Sequence, residues 1–317
     1  MTDTQNEVFK SPVNKIRLFE HGAPGSQNFK LTRKYYTEDM PDGRVKHIVQ
    51  NITDPDIVPY IPDGIGNSTD RQRIPAVLII PGGAFRRLVY NFEGEDVAKW
   101  LNSMGIAAFV LECRLPSDEH DNAEDVPLID AMRAMRVIRG RAQEFGIDEA
   151  KIGVMGFSAG GFMAALLSTA YESDVYVDYK YKDEYDKLSA RPDFAVCSYP
   201  VISIDDCIEA GKRYMSEEQV LERISDSKAK ILHKYNPDKL VRPDMPPVFI
   251  CETDDDRTTL SENSVGFYMA ARKAGVSAEL HIFRTGGHGY GCGDDFAQTG
   301  EWKVLFTKWI KSIGIIS

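Results

Sequence analysis

Short runs dominated by apolar residues recur along the chain: Ala76-Val77-Leu78-Ile79-Ile80-Pro81, Ile106 to Cys113, Lys151 to Phe157, Phe194 to Tyr199, Pro247 to Cys251 and Ala278 to Phe283. Runs of this length with little alternation read as strands buried on both faces. Between them the period changes. Glu93 to Met104 carries Val97, Trp100, Leu101 and Met104 at helical spacing and stops at Gly105. Pro127 to Phe145 is a longer amphipathic helix ended by Gly146, and Ser261 to Lys273 and Glu301 to Ile313 repeat the pattern. Buried strands alternating with helices predict an α/β chain with a mainly parallel central sheet covered by helices on both faces.

Other stretches depart from that rhythm. Residues 1–70 are rich in Pro, Gly, Asn and Asp, with short β-type pieces at Val45 to Ile52 and Ile57 to Ile61. They read as an antiparallel lead-in on one sheet edge. Tyr171 to Pro192 is charged and Tyr-rich, and its simplest reading is a solvated excursion. Residues 203–245 hold one or two polar helices between sheet strands. Ligands in this architecture bind outside the carboxyl ends of the strands, so this insertion is either a small cap over the site or a surface decoration.

At 317 residues the chain is long enough for a large core, and it is read as a single domain over 1–317. A formal net charge of −10 without a basic cluster argues against nucleic acid or an anionic membrane as partner. No apolar stretch is long enough to span a bilayer, and the polar start Met1-Thr2-Asp3-Thr4-Gln5-Asn6-Glu7 has no secretory pattern. The five cysteines are scattered, and Cys113, Cys197 and Cys251 lie in strand-like runs, as reduced thiols of a cytoplasmic protein would. No cysteine or histidine spacing suits a metal, so no metal or cofactor is expected.

The candidate chemistry centres on Gly156-Phe157-Ser158-Ala159-Gly160, set between a strand-like run and the helix-forming Gly161-Phe162-Met163-Ala164-Ala165-Leu166-Leu167. That setting turns a Gly-x-Ser-x-Gly match into a nucleophile elbow. A sharp turn leaves no room for Cβ atoms beside the serine, and the helix N-terminus behind it favours developing negative charge. A serine nucleophile needs a base, an orienting acid and an oxyanion hole. The base candidate is His288, in the glycine-rich loop Gly286-Gly287-His288-Gly289-Tyr290-Gly291 after the last strand. The acid candidates are Asp256 and Asp255, in the run Asp254-Asp255-Asp256-Arg257 that follows the preceding strand. Spacing favours Asp256 and leaves Asp255 open. Oxyanion donors are the N–H of Ala159 and one from Pro81-Gly82-Gly83-Ala84-Phe85. Tyr90 and Tyr290 are candidate pocket walls.

With these residues in hand, the chain resembles the α/β-hydrolase superfamily, and within it the acetyl-xylan-esterase-like carbohydrate esterases of the BD-FAE type. The resemblance runs from Leu18-Phe19-Glu20-His21-Gly22-Ala23-Pro24-Gly25 through Ile80-Pro81-Gly82-Gly83-Ala84-Phe85, Glu93-Gly94-Glu95 and the Ser158 elbow. It ends at Glu262-Asn263-Ser264, Ala274-Gly275-Val276 and Gly287-His288-Gly289. It implies Ser158 as nucleophile, His288 as base, the Asp before Arg257 as third member, and Gly83, Ala84 and Ala159 as oxyanion donors. It also implies ester-linked acyl groups on sugars, usually acetyl on xylan fragments, as substrate. Ala84 replaces the family's third loop glycine, which is expected to narrow the acyl pocket. Thr259-Leu260 replaces its usual Val-Pro, which loosens the choice of acid. Many relatives are secreted, whereas an intracellular form would meet imported oligosaccharides or small esters. The rival reading keeps the serine machinery but cleaves small peptides or amides.

Overall fold

The apolar runs become strands in the computed structural model, which describes residues 9–65, 73–118, 120–213, 215–216, 218–219, 227–293 and 298–317. In chain order the strands are β1 (Ile16–Arg17), β2 (Lys34–Asp39), β3 (Val45–Gln50), β4 (Asp56–Tyr60), β5 (Ile74–Ile80), β6 (Leu88–Val89), β7 (Ala107–Glu112), β8 (Ile147–Phe157), β9 (Ala195–Ser198), β10 (Val248–Thr253) and β11 (Ala278–Phe283). The helices are α1 (Asp96–Ser103), α2 (Val126–Gly140), α3 (Ala142–Phe145), α4 (Ala159–Ala170), α5 (Ile204–Lys212), α6 (Ser227–Lys234), α7 (Ser261–Lys273) and α8 (Trp302–Ser312). A π-helical turn, Asn91–Glu95, leads into α1.

The main sheet has eight strands in the order β1-β4-β7-β5-β8-β9-β10-β11. The pairs from β7 through β11 are parallel, and β4 and β1 complete one edge antiparallel. This is an α/β-hydrolase arrangement. Successive residues of a strand face opposite sides, and every residue of β7 and β10 is buried, so helices must cover both faces. On one face Trp100 of α1 meets Trp302 and Phe306 of α8, with ring centroids 4.9 and 5.4 Å apart. Burying each such ring contributes about 1.5–3 kcal/mol.

Because β5 and β7 to β11 are parallel to one another, their carboxyl ends open on one edge of the sheet. The chain steps from β5 outward to β7, then returns across β5 to β8. That reversal of strand order leaves a crevice above β5 and β8. In register, Ile80 lies beside Gly156, Phe157 beside Ser198, and Thr253 beside Phe283. The loops that follow these residues therefore meet in space.

The lead-in departs from the expected single edge. β1 and β4 join the main sheet, but β3 pairs with β2 and β6 in a separate antiparallel sheet. It is β4, not β3, that pairs with the edge of β7. That edge holds a buried charge cluster. Asp56 of β4 stands directly opposite Glu112 of β7. Arg33 donates to Asp56 at 2.5 Å and to Glu112 at 2.6 Å, and Lys15 reaches Glu112 at 2.6 Å. Burial and the facing Glu112 push the Asp56 carboxyl up to about 6, against the pull of Arg33 and Lys15.

The Tyr-rich stretch after α4 is less solvated than its charge suggests. Tyr171 and Tyr176 are buried, although Val177 and Tyr181 stay exposed. The Tyr176 hydroxyl donates to Asp186 at 2.8 Å, and Arg133 of α2 forks onto Asp183. Much of the charge read as solvation is paired across to α2. In the 203–245 insertion, residues 214, 217 and 220–226 lie outside the described residues, as do 1–8, 66–72, 119 and 294–297. Its α6 end is fastened by Lys234, whose ammonium lies 2.7 Å from Asp125. Cys113, Cys197, Cys251 and Cys292 are buried. Among the described residues no helix is long and apolar enough to cross a membrane.

Candidate active site

Ser158 occupies the step from β8 to α4 with φ 53° and ψ −118°, a conformation that L-residues rarely adopt. The glycines on either side permit it by close approach. A Cβ on Gly156 would stand 1.9 Å from the Gly160 carbonyl oxygen, and one on Gly160 would stand 1.9 Å from that of Ile80. The Ser158 N–H donates to Ser198 O of β9 at 3.0 Å, which fixes the turn to the sheet. Ala159 opens α4, so its N–H has no intrahelical acceptor.

His288 reaches this turn from the loop after β11. Its Nε2 lies 2.9 Å from Ser158 Oγ, and its Nδ1 lies 2.6 Å from Asp256 Oδ2. Asp256 is buried in the loop after β10. Its Oδ1 accepts the N–H groups of Thr258 at 2.7 Å and Thr259 at 3.0 Å, and the Thr259 hydroxyl lies 3.0 Å from Oδ2. Burial pushes this carboxyl up, but the contacts with His288 and the two N–H groups outweigh it and hold the group below the ordinary carboxylate range. Asp255 points elsewhere: its Oδ1 accepts the Gly287 N–H at 2.8 Å, steadying the loop that carries His288. Of the two candidate acids, the geometry brings Asp256 to the imidazole and gives Asp255 to the loop backbone.

The loop after β5 is bent through Gly83, Ala84 and Phe85 at φ 139°, 57° and 60°. It closes on itself through Arg86 and Arg87 N–H groups donating to Gly83 O at 3.2 and 3.3 Å. Beside it lies a small cavity of about 20 Å3, lined by Gly82, Gly83, Ala159 and Gly160 on the backbone side and by Phe85, Leu88, Leu115 and Met163 among its apolar walls. Ala84 is not among its lining residues. The proposed tyrosine walls are elsewhere. Tyr90, which follows β6, is buried, with its hydroxyl 3.1 Å from that of Tyr60 at the end of β4 in the main sheet. Tyr290 is buried edge-on against Tyr199, centroids 4.5 Å apart, behind the histidine loop.

Side chains the sequence reading passed over complete the site. Glu93, buried, accepts the Gly82 N–H at 2.8 Å and the Tyr199 hydroxyl at 2.9 Å. Burial pushes its carboxyl up, opposed by nearby His288 and by those two donors. Glu252 sits behind Asp256, accepting the Thr253 N–H at 2.9 Å, with burial and Asp256 driving its carboxyl well above its ordinary value. The one sequence signal for Glu93 was its place in Glu93-Gly94-Glu95; at the start of an amphipathic helix it reads as a surface acid.

A family profile, BD-FAE, matches residues 65–270, well over half of the chain. The chain belongs to the BD-FAE family. This BD-FAE chain is 31% identical over 240 residues to an acetylxylan esterase of Xylanibacter ruminicola, a match that takes in 75% of the chain and 45% of that protein. It spans under half the length of the curated relatives it matches. Among solved structures it is similar to an acetyl ester-xyloside bifunctional hydrolase from Caldicellulosiruptor lactoaceticus, at 36% identity and a TM-score of 0.71, over 96% of this chain and 97% of that one. An esterase of Thermogutta terrifontis, at 23% identity, TM-score 0.64 and coverage of 90% and 96%, shares the fold.

Proposed function

We propose that this BD-FAE chain is a serine carboxylic-ester hydrolase that removes acetyl groups from acetylated sugars or xylo-oligosaccharides. The observation that carries the reading is the line Asp256–His288–Ser158, with contacts of 2.6 and 2.9 Å. Ser158 Oγ attacks the acyl carbonyl while His288 Nε2 takes its proton. Asp256 holds Nδ1–H and stabilises the imidazolium. The tetrahedral oxyanion is received by the N–H of Ala159 and by that of Gly83 or Ala84. His288 then returns the proton to the leaving sugar hydroxyl, and water activated by the same imidazole releases the acid.

The small cavity supports acetyl as the acyl group. About 20 Å3 accommodates a group of roughly the size of one water or methyl, by the usual threshold of about 10–15 Å3 for a single water. The named activities of the acetylxylan esterase and the acetyl ester-xyloside hydrolase point the same way. In this reading 1–317 act as one catalytic unit, and 203–245 cap the site, since α6 packs by the turn Pro116–Asp118 at the carboxyl end of β7.

The test is acetate release from acetylated xylo-oligosaccharides, beside nitrophenyl acetate and butyrate, with Ser158→Ala as control. Release that Ser158→Ala abolishes supports the reading. Serine-dependent cleavage of nitrophenyl esters alone removes the sugar substrate, and wild-type rates in Ser158→Ala remove the mechanism.

A further inference from the structure

A carboxyl that is only 5% exposed and touches no reacting atom is costly unless its acceptors are filled. Those of Glu93 are filled by parts of the site that lie far apart in the chain. Oε2 takes the N–H of Gly82, one residue before the candidate oxyanion donor Gly83. Oε1 takes the hydroxyl of Tyr199, which in turn accepts the N–H of Gly291 at 3.1 Å, three residues past His288. The Tyr199 ring stands edge-on to the His288 imidazole, centroids 5.0 Å apart, and its backbone is held at φ 36° at the end of β9. One carboxyl therefore joins the loop after β5, the end of β9 and the loop after β11.

We propose that Glu93 is a positioning residue: through Gly82 and Tyr199 it sets the distance between the oxyanion donors and the imidazole over Ser158. The proposal rests on the serine-hydrolase reading above. Its force comes from how little slack the contact leaves. A Cβ on Gly82 would lie 2.7 Å from Glu93 Oε2 and 2.9 Å from Ser158 Cβ, so carboxyl and nucleophile close on Gly82 with no room for a side chain. Loss of the carboxyl frees the loop on one side, and a misplacement of about 1 Å costs roughly 10²-fold in rate. The transition state, which needs donors aimed at the oxyanion, feels this more than ground-state binding.

The experiment compares wild type, Glu93→Gln, Glu93→Ala, Tyr199→Phe and Ser158→Ala as full chains on nitrophenyl acetate. Affinity for phenylboronic acid, which forms a tetrahedral adduct on an active serine, is measured alongside. Glu93→Ala is expected to lower kcat by roughly 10²-fold, in line with loss of an oxyanion donor, with KM within about threefold and boronate affinity falling in parallel. Glu93→Gln can still accept from Gly82 and can donate to the Tyr199 hydroxyl, so it is expected to recover to within about fivefold of wild type. Tyr199→Phe, which severs Glu93 from Gly291, is expected to lose about tenfold in kcat. A Glu93→Ala enzyme within threefold of wild type in kcat overturns the proposal. So does a Glu93→Gln enzyme as impaired as Glu93→Ala, since charge and not position would then be at work. Should Glu93→Ala fail to fold, an unimpaired Tyr199→Phe overturns it alone. A wild type without Ser158-dependent activity sinks the hydrolase reading itself, and this proposal with it.

Discussion

Asp256→Asn tests Asp256 as the proposed orienting acid, since the side chain keeps its size and stays buried. The structure decides which way the new amide turns. Oδ1 accepts two backbone N–H groups, from Thr258 at 2.7 Å and Thr259 at 3.0 Å, so the amide oxygen stays there. The NH2 group is then forced onto the position of Oδ2, 2.6 Å from His288 Nδ1. It donates to Nδ1, leaves the ring proton on Nε2, and Nε2 can no longer take the Ser158 proton. The lost imidazolium–carboxylate attraction alone amounts to about 4 kcal/mol for charge centres about 4 Å apart at an effective dielectric of about 20. That is roughly 10³ in rate, and the wrong tautomer takes the expected loss in kcat to about 10⁴. Asp255→Asn keeps an oxygen to accept the single Gly287 N–H and is expected to stay within about fivefold of wild type. The assay is kcat/KM on nitrophenyl acetate, with thermal unfolding of both variants in parallel. An Asp256→Asn enzyme within tenfold of wild type, or an Asp255→Asn enzyme as slow as Asp256→Asn, refutes the assignment.

Leu115→Ala opens the small cavity beside the loop after β5. It is expected to raise the butyrate-to-acetate ratio of kcat/KM by about tenfold while costing about 2–5 kcal/mol of stability; a ratio that stays fixed despite a lowered Tm places the acyl group elsewhere. Glu252→Gln tests the buried acid behind Asp256 through pH. Burial and Asp256 raise the folded-state value of Glu252 above the unfolded one, so the folded form is best off below about pH 4.3, and that stability is lost as pH rises toward the folded value. The Tm of Glu252→Gln should therefore exceed that of wild type by a margin that widens as pH rises above about 4.3 and closes below it, and a margin that grows toward acid contradicts the sign.

The framework was legible because it is written in periods. Uninterrupted runs such as Ala76 to Ile80 and Pro247 to Cys251 suit only strands covered on both sides, and the turn glycines of the Ser158 elbow mark a contact no side chain could share. Ser158 and His288 stood out because their settings, a strand-to-helix step and a glycine loop, are unusual for those residue types. The choice between Asp255 and Asp256 was only partly legible: spacing favoured Asp256, but adjacent carboxylates in a turn are separated only by which way each points. Glu93 and Thr259 were hidden for a related reason. An acid in the first turn of a helix and a threonine before a Leu are ordinary on a surface, and only the return of distant loops encloses them. Tyr90 shows the converse, since an aromatic close in sequence to the loop after β5 is buried in the core against Tyr60 of β4.

The charge cluster at the sheet edge bears on how the chain could be shortened. Residues before β2 supply both cations, Lys15 and Arg33, that neutralise Asp56 and Glu112. Trimming the segment up to β2 as an irregular appendage would leave two facing carboxylates enclosed between β4 and β7, and removing one side of a buried ion pair commonly costs about 3–5 kcal/mol. The boundary of the smallest self-sufficient unit therefore lies ahead of Lys15.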